Sequence, residues 1–279
     1  MMTTEAQSLG HRGIMFAALL VITAIINVPI ISMLLNSLKS TAEILSSSSL
    51  LPLQPTLDNF IYLSSRTNFP AFFRNSVIVA GGGTLLSVVA AALAGYALSR
   101  YRTRFTDAYG QMLLGVQMFP IILALIPLFI VFRGLGLINT YWAVILLYMV
   151  IQLPFATWMF RGFFDSIPRD LEEAAWVDGC TRLRALWHVV IPLAGPGTAA
   201  VVIFSFLFSY NEYLIANVFL RDQSVMTVPV GIQQFQQQYA TEWGSIMAAA
   251  TLAMLPTFIL FLFVQRYMQY GAVSGAVKG

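Results

Sequence analysis

Charged residues and reactive side chains are scarce in this chain of 279 residues. Only 10% of its residues are charged, against about a quarter in a typical soluble domain. The single cysteine, Cys180, excludes an internal disulfide, and the two histidines, His11 and His188, lie far apart without ligand spacing, which argues against a metal site. The two lysines, Lys39 and Lys278, do not follow the glycine spacing of a phosphate-binding loop, so the chain is not expected to hydrolyse ATP. No catalytic constellation is recognisable, and no enzyme activity is predicted.

Long apolar segments take the place of the missing charge. Hydrophobic residues make up 58% of the chain, and six windows are each long enough to cross a bilayer. They run from Gly13 to Leu38, Asn75 to Ser99, Ala108 to Phe132, Thr140 to Phe160, Val189 to Leu220 with Glu212 interrupting, and Trp243 to Gln265. The first is too long for a signal-peptide core and no cleavage site follows it, so we interpret it as a retained span. The sequence therefore predicts an all-α integral membrane protein with six transmembrane helices.

The positive charges favour one orientation of these spans. With the N-terminus in the cytoplasm, ten arginine and lysine residues fall on the inner side and five on the outer side, and cytoplasmic loops carry such an excess. Both termini are therefore predicted to be cytoplasmic, with residues 1–12 and 268–279 as short tails around a membrane domain of residues 13–267. Contact with anionic lipids explains the basic excess, and no nucleic-acid partner is predicted.

Smaller patterns describe the spans and their connections. A stripe of small residues spaced by four in the second window predicts a close contact with another helix; it consists of Gly83, Ser87, Ala91 and Gly95. The serine- and proline-rich segment from Lys39 to Pro70 predicts a compact outer loop with one short helix at Leu57–Ser64. The segment from Arg221 to Glu242 is interpreted as a longer, glutamine-rich outer loop.

A polar stretch from Ser166 to Gly197 separates the fourth and fifth windows. It is rich in acids and arginines and cannot lie in lipid, yet it has the pattern of two short amphipathic helices. Ser166 and Pro168 are typical of a helix start, and Gly179 is typical of a helix end. Arg182 and Arg184 lie where the dipole of the second helix does not favour them, so we expect them to face a partner or lipid phosphates. An ordered loop of this kind predicts a docking site.

At these residues the chain resembles the membrane subunits of bacterial ATP-binding-cassette importers. Glu173-Ala174-Ala175, then Gly179, then Val189-Val190-Ile191-Pro192 match the spacing of their EAA loop, with Val189 and Ile191 replacing the usual Ile and Leu. Five further pieces resemble, in the same order, the second permease of maltose-type carbohydrate importers: PIISMLLNSLK, FFRNSVIVA through AGYALSRYR, QMFPIILALIPLF, FSYNEYLIA and GAVSGAVKG. The resemblance implies a type I importer architecture in the bacterial inner membrane, with an EAA loop at residues 162–197 in the cytoplasm.

The resemblance also implies partners and a coupling element. The implied partners are a second homologous permease, two ATPase subunits that bind ATP and Mg, and an extracytoplasmic solute-binding protein; no cofactor is implied for this chain itself. A coupling helix would dock on an ATPase through Glu172, Glu173, Ala174, Ala175, Asp178 and Gly179. The implied cargo is a sugar or oligosaccharide.

Substrate contacts are sought among polar residues inside the spans, because such residues tend to face the bundle interior. The candidates are Gln117, Gln152, Tyr210, Asn211 and Glu212, with Tyr148 and Trp158 as rings on which a sugar could stack. Equally, Gln117 and Gln152 could join helices, and Glu212 could be solvated near the headgroups. Contacts with the binding protein are predicted at Gln233, Gln234, Phe235 and Gln236; the alternative is a solvated polar loop.

The sequence leaves other functions as alternatives. An importer of glycerol phosphate or another polar solute is an alternative, but a phosphorylated cargo favours cationic residues near the centres of the spans, where none occurs. An ion-coupled secondary transporter would need an ionisable relay in the membrane, and only Glu212 qualifies. An integral membrane enzyme lacks a plausible acid, base, nucleophile or metal cluster.

Overall fold

A computed structural model describes residues 3–237 and 242–276, and every regular element in those residues is a helix. The helices are α1 (Thr3–Asn36), α2 (Thr41–Ser46), α3 (Asp58–Arg66), α4 (Phe69–Arg100), α5 (Arg104–Gln117), α6 (Ile121–Gly134), α7 (Tyr141–Asp165), α8 (Asp170–Val177), α9 (Arg182–Ala185), a π-helical turn (Leu186–Val190), α10 (Ile191–Leu193), α11 (Gly195–Asn211), α12 (Leu214–Phe219), α13 (Val228–Gln237) and α14 (Trp243–Ala276). Within the described residues, four helices are long and apolar enough to cross a membrane, namely α1, α4, α7 and α14. The count reaches six if each of two bent helix pairs is one span, and the all-α membrane fold is confirmed.

The chain divides into two compact units. The first comprises Met1–Thr67 and Gln234–Leu252, and in it Asn59 holds the connection that follows α1. The Asn59 side-chain amide donates to the carbonyls of Ser37 and Lys39, each at 2.8 Å. The short helix predicted in this connection is α3, and α2 is a second helix that the sequence did not indicate.

The second unit comprises Asn68–Gln233 and Ala253–Gly279 and is centred on the contact of α4 with α7. The stripe of small residues predicted in the second window makes this contact. A Cβ atom on Gly95 would lie 2.7 Å from Cβ of Phe160, and one on Gly83 would lie 3.0 Å from Cβ of Tyr148. The absence of side chains at these two glycines lets the backbones approach closely.

Aromatic and aliphatic side chains continue this core toward the C-terminal end of α4. Phe160 and Phe164 of α7 are fully buried and stacked with ring centroids 5.3 Å apart, and the ring of Tyr96 meets Phe164 edge-on at 6.3 Å. The π-helical turn adds Leu186 and Val190, both fully buried. The polar stretch after α7 is therefore attached to the bundle core at its far end.

The third and fifth windows each contain two helices that meet at a sharp bend. The helices α5 and α6 meet at an angle of 97°, with the break ending at Pro120, which cannot donate a backbone hydrogen bond to continue a helix. The run Arg182–Leu193 meets α11 at 87°, with the break at Ala194. A further break after Asn211 separates α11 from α12.

The glutamine-rich segment between the fifth and sixth windows was wrongly predicted as a loop throughout. The helix α13 occupies Val228–Gln237, so part of the segment is regular structure. Gly231 allows this helix to approach α4, because a Cβ atom at that position would overlap the ring of Phe72.

Candidate functional site

The polar stretch between α7 and α10 folds into a helical hairpin, here named the α8–α9 hairpin (residues 170–185). Its first helix begins at Asp170 and not at Ser166, because Ser166 ends α7 and its hydroxyl donates to the carbonyl of Phe163 at 2.6 Å. The turn is made at Gly179, whose φ of 87° is rarely adopted by a residue with a side chain. The amide of Cys180 closes the turn by donating to the carbonyl of Ala175 at 2.9 Å.

Glu172 is the buried residue of α8 and points into the protein. Its side chain is 1% exposed. One carboxylate oxygen accepts from Nε and Nη2 of Arg100 at 2.6 and 2.5 Å, and the other accepts from the hydroxyl of Tyr96 at 2.7 Å. Glu172 was predicted as a docking residue, but its carboxylate is engaged inside this chain and is not available on the surface. We name the set Tyr96, Arg100 and Glu172 the Arg100 junction.

Arg100 connects the hairpin to two transmembrane helices at once. It is in the last turn of α4, and its Nη1 atom donates to the carbonyl of Phe164 at 3.0 Å, near the end of α7. Its Nη2 atom also reaches the carbonyl of Ile167 at 3.3 Å. Close by, Ser99 donates to Asp165 at 2.6 Å. The ends of α4 and α7 and the start of α8 therefore form one hydrogen-bonded cluster.

Arg182 also contacts its own chain. Its Nη1 atom donates to the hydroxyl of Tyr101 at 2.6 Å, and its guanidinium lies 5.5 Å from the ring centres of both Tyr101 and Trp176. These cation–π contacts and the hydrogen bond orient the Arg182 side chain, which is also exposed, so its contact with a partner or lipid stays a prediction. Arg184, the other arginine of this prediction, has an exposed side chain.

The opposite side of the hairpin is exposed. Of the predicted coupling residues, Glu173, Ala174, Asp178 and Gly179 are exposed and Ala175 is half-buried. Apolar side chains lie beside them, with Val177 88% exposed and Leu171 46% exposed. This face combines acids with uncovered apolar groups on a short, firmly attached helix, an arrangement suited to binding another protein.

A cavity of about 1240 Å³ opens where α5 and α6 bend away from α7 and α11. Gln117 and Gln152 both line it, together with Ser205, so the structure brings two of the five predicted pathway residues to one site. The amide nitrogen of Gln152 donates to Ser209 at 2.5 Å, and its buried oxygen has no hydrogen-bond partner among the residues that the structure describes. The rest of the wall is apolar: Met112, Gly115, Val116, Phe119, Ile121, Ala124, Val150, Ile151, Pro154, Phe155, Phe204, Leu207 and Phe208.

The other pathway candidates do not line this cavity. Glu212 lies just before α12, and its carboxylate accepts from the amides of Ile215 and Ala216 at the start of that helix and from the hydroxyl of Tyr148. Asn211 is exposed and donates to Leu207 in its own helix, and Tyr210 is buried against Phe206. Trp158 donates to the carbonyl of Gly110 and lies under Arg161.

An asparagine at the start of α4, which sequence reasoning missed, holds the segment that leads to α13. The fully buried amide of Asn75 donates to the carbonyls of Ser224 and Met226, each at 2.9 Å, and its oxygen accepts from Tyr141 at 2.7 Å. The neighbouring Ser76 accepts from the amide of Val228 at 2.7 Å. A polar residue near the start of an apolar span was the available signal.

The binding-protein candidates fall in or beside this segment. Gln233 is exposed on α13 and Phe235 is half-buried. The side chains of Gln234 and Gln236 lie outside the described residues. Among the residues described, no group of three His, Cys, Asp or Glu residues could hold a metal ion.

Comparison with known proteins gives one family and several close relatives. Residues 83–271 match the family described as binding-protein-dependent transport system inner membrane component. The sulfoquinovosyl glycerol transport system permease protein SmoH of Agrobacterium fabrum is 38% identical, with 90% of this chain and 88% of that protein covered. The trehalose/maltose transport system permease protein MalG of Thermococcus litoralis is 37% identical, with 83% and 84% covered. The diacetylchitobiose uptake system permease protein NgcG of Streptomyces coelicolor is 34% identical, with 94% and 87% covered.

Solved structures share the fold. A chain of a bacterial ABC transporter involved in the import of the acidic polysaccharide alginate superposes with a TM-score of 0.76 at 24% identity, covering 91% of this chain and 95% of that one. A chain of the MetNI methionine ABC transporter in an inward-facing conformation gives a TM-score of 0.56 at 17% identity, covering 76% and 97%.

Proposed function

This chain belongs to the family of binding-protein-dependent transport system inner membrane components, and we propose that it forms half of the pathway of an ATP-driven importer for a sugar or oligosaccharide. The other half would come from a second, homologous permease subunit. Two ATPase subunits would bind ATP and Mg, and an extracytoplasmic solute-binding protein would deliver the cargo. The family supplies membrane subunits of transporters, and this chain is accordingly a multi-pass membrane protein.

The observation that carries the proposal is the exposed face of the α8–α9 hairpin. Glu173 and Val177 are exposed on α8, and Asp178 is exposed directly after it; the one buried residue of α8, Glu172, joins the helix to α4. A helix attached in this way supports docking, because a push on its exposed face is passed to the ends of α4 and α7. ATPase subunits that close around ATP would supply such a push.

A sugar is the cargo that the relatives and the cavity favour. The three relatives described above carry names of systems for sulfoquinovosyl glycerol, trehalose or maltose, and diacetylchitobiose. Sugars present both hydroxyl groups and apolar ring faces, and the cavity offers Gln117, Gln152 and Ser205 among apolar and aromatic walls. None of the described residues that line the cavity is charged, which favours a neutral solute over glycerol phosphate.

The proposed orientation places both termini and the α8–α9 hairpin in the cytoplasm. The basic residues Arg100, Arg102 and Arg104 lie at the same end of α4 as the hairpin, in agreement with the charge rule for cytoplasmic loops. Cys180, the only cysteine, is half-buried in the hairpin turn and serves as a reporter. A membrane-impermeant thiol reagent should label it in inside-out vesicles and leave it unlabelled in intact cells; the reverse pattern would refute this orientation.

Transport by the purified assembly tests the function. The chain, its second permease and its ATPase are reconstituted in proteoliposomes with the binding protein, and uptake of radiolabelled maltose, trehalose and glycerol 3-phosphate is measured. We expect uptake of a sugar that requires ATP and the binding protein, without uptake of glycerol 3-phosphate. Uptake driven by a proton or sodium gradient without any ATPase would show a secondary transporter and would refute the proposal.

A further inference from the structure

The helix α8 buries a charged residue and exposes apolar ones, which is the reverse of an ordinary amphipathic helix. Its one buried residue is Glu172, whereas its apolar residues Leu171, Trp176 and Val177 are exposed. Hydrophobic burial therefore contributes little to holding α8 on the bundle. Directional hydrogen bonds from Arg100 and Tyr96 attach the helix, and these fix its position more narrowly than apolar contact does.

Energetic reasons alone do not account for a buried ion pair at this place. Desolvation of the two charges offsets much of their attraction, so an apolar pair of similar volume would stabilise the fold about as well. The side chains of Arg100 and Glu172 are 8% and 1% exposed. Hydrogen bonds from Arg100 and Tyr96 satisfy both carboxylate oxygens of Glu172. What the pair provides is a connection of defined geometry between α8 and the last turn of α4, in which two guanidinium nitrogens of Arg100 donate to one carboxylate oxygen of Glu172.

The α4 side of this connection is rigid. Arg100 also donates to the carbonyls of Phe164 and Ile167, so it cannot follow α8 without moving the end of α7 as well. Along its length α4 packs directly on α7, with Gly95 and Gly83 at the contact. A displacement of α8 is therefore transmitted to the α4–α7 pair and is not absorbed by a flexible side chain.

We propose that the Arg100 junction transmits movement of the docked α8–α9 hairpin to α4, with Tyr96, Arg100 and Glu172 as positioning residues that do not themselves touch the ATPase. The inference rests on the proposed function, because the movement starts at the ATPase. It assigns adjacent acids to different tasks, with Glu173 in docking and Glu172 in transmission. Loss of the junction should leave binding of the ATPase intact, but movement of the docked hairpin should no longer reach α4.

Two reporters test this in the purified complex with its ATPase. In a Cys180→Ser background, Leu183→Cys places a bimane label on the hairpin and Leu85→Cys places one on α4; the parent side chains are 56% and 64% exposed. Fluorescence is recorded before and after trapping with Mg-ATP and orthovanadate. In the otherwise unaltered complex we expect both reporters to respond. If the hairpin reporter is silent here, the proposed docking function fails, whatever the junction does.

Three junction variants separate transmission from folding. Tyr96→Phe removes only a hydroxyl, Glu172→Gln removes the charge, and Arg100→Gln combined with Glu172→Gln removes the pair without leaving either charge unpaired. In the last two we expect the ATPase to copurify in unchanged amount and the hairpin reporter to respond, while the response at Leu85 falls about tenfold. Tyr96→Phe should give an intermediate loss at Leu85.

The matched control is Arg102→Gln, which removes an exposed arginine that follows α4 and lies outside the Arg100 junction. It should leave both reporters unchanged. An undiminished response at Leu85 in the double variant would overturn the proposal. Loss of ATPase copurification in Glu172→Gln and in the double variant would overturn it too, because it would place these side chains in docking or in folding alone.

Discussion

At the scale of single residues, the hairpin turn depends on the backbone of Gly179. Its φ of 87° lies in the left-handed region, where a Cβ atom costs about 1–2 kcal/mol. No neighbouring atom lies within 4 Å of a Cβ built there, so the cost comes from the backbone and not from crowding. We expect Gly179→Ala to increase hydrogen exchange of residues 170–185 by about tenfold, with the bundle core unchanged.

Gly162→Ala is the control for this substitution. Gly162 lies in α7, has no atom within 4 Å of its Cβ position, and has an ordinary helical backbone. Alanine should be tolerated or slightly stabilising there, because it favours a helix. Equal exchange of residues 170–185 in Gly179→Ala and the parent protein would contradict the importance of the turn.

Near the other end of α4, the side chain of Asn75 stabilises the fold through buried hydrogen bonds. Asn75→Asp keeps the shape but loses the two donors to Ser224 and Met226 and adds a buried charge. We expect the free energy of unfolding to fall by about 3 kcal/mol, measured as a lower midpoint of thermal unfolding in detergent. Asn211→Asp is the control, since Asn211 is exposed and bonds only its own helix; an equal effect in both would refute the assignment.

Residue type alone does not tell which of the adjacent acids of α8, Glu172 or Glu173, is buried. Glu172 and Glu173 both lie in the first turn, where the helix dipole favours acids, so the sequence groups them in one docking set. Neighbouring helical residues point about 100° apart, and only one of them can face the bundle. The apolar residues of α8 do not mark the face that packs on the bundle, because the buried side chain is that of the charged Glu172.

At the scale of helices, the contact of α4 with α7 leaves no room for a side chain at Gly95. A Cβ atom on Gly95 would lie 2.7 Å from Cβ of Phe160 and 3.0 Å from the backbone oxygen of Thr157. Neither atom is the flexible end of a side chain, so the helices would have to separate. We expect Gly95→Ala to lower the free energy of unfolding by about 1–3 kcal/mol, seen as a lower thermal midpoint.

A glycine elsewhere in α4 controls for the change of residue type. Gly81 has no atom within 4 Å of its Cβ position. Gly81→Ala should therefore leave the thermal midpoint unchanged or raise it slightly. A loss at Gly81 as large as that at Gly95 would mean that helix flexibility, and not close packing, explains the glycines.

Hydropathy predicted which helices exist better than it predicted where they bend. The spacing of small residues gave the packing face of α4, because a four-residue repeat fixes one side of a helix. The positions of proline do not by themselves identify where the helices break. Pro127, Pro154 and Pro256 lie inside continuous helices, whereas the helix breaks next to Pro120. A freed carbonyl can be satisfied by neighbouring groups, and that depends on packing which one-dimensional patterns do not contain.

At the scale of the whole molecule, the family match and the exposed hairpin favour a subunit that works inside a larger assembly. The implied ATPase and binding protein would act on opposite sides of the membrane. The candidate contact for the binding protein is the glutamine-rich end of α13, with Gln233 exposed. This assignment started from composition, and it stays a prediction.

Replacing Gln233, Gln234 and Gln236 by alanine tests that contact while preserving helix propensity. We expect the stimulation of ATPase activity by the binding protein to fall about tenfold, because several polar contacts are lost together. Basal ATPase activity and assembly should not change. Gln111→Ala, at an exposed position of α5, is the control. Unchanged stimulation in the triple variant would assign the contact elsewhere.

The helix α4 has one further consequence, which follows from its length. Its 32 residues rise about 48 Å without an interior break, with Arg100 at one end and Asn75 near the other. If α4 tilts as a rigid body together with α7, a tilt of about 5° around its midpoint displaces each end by about 2 Å, in opposite directions. Such a tilt would couple an inward movement of the hairpin to an outward movement of the segment leading to α13.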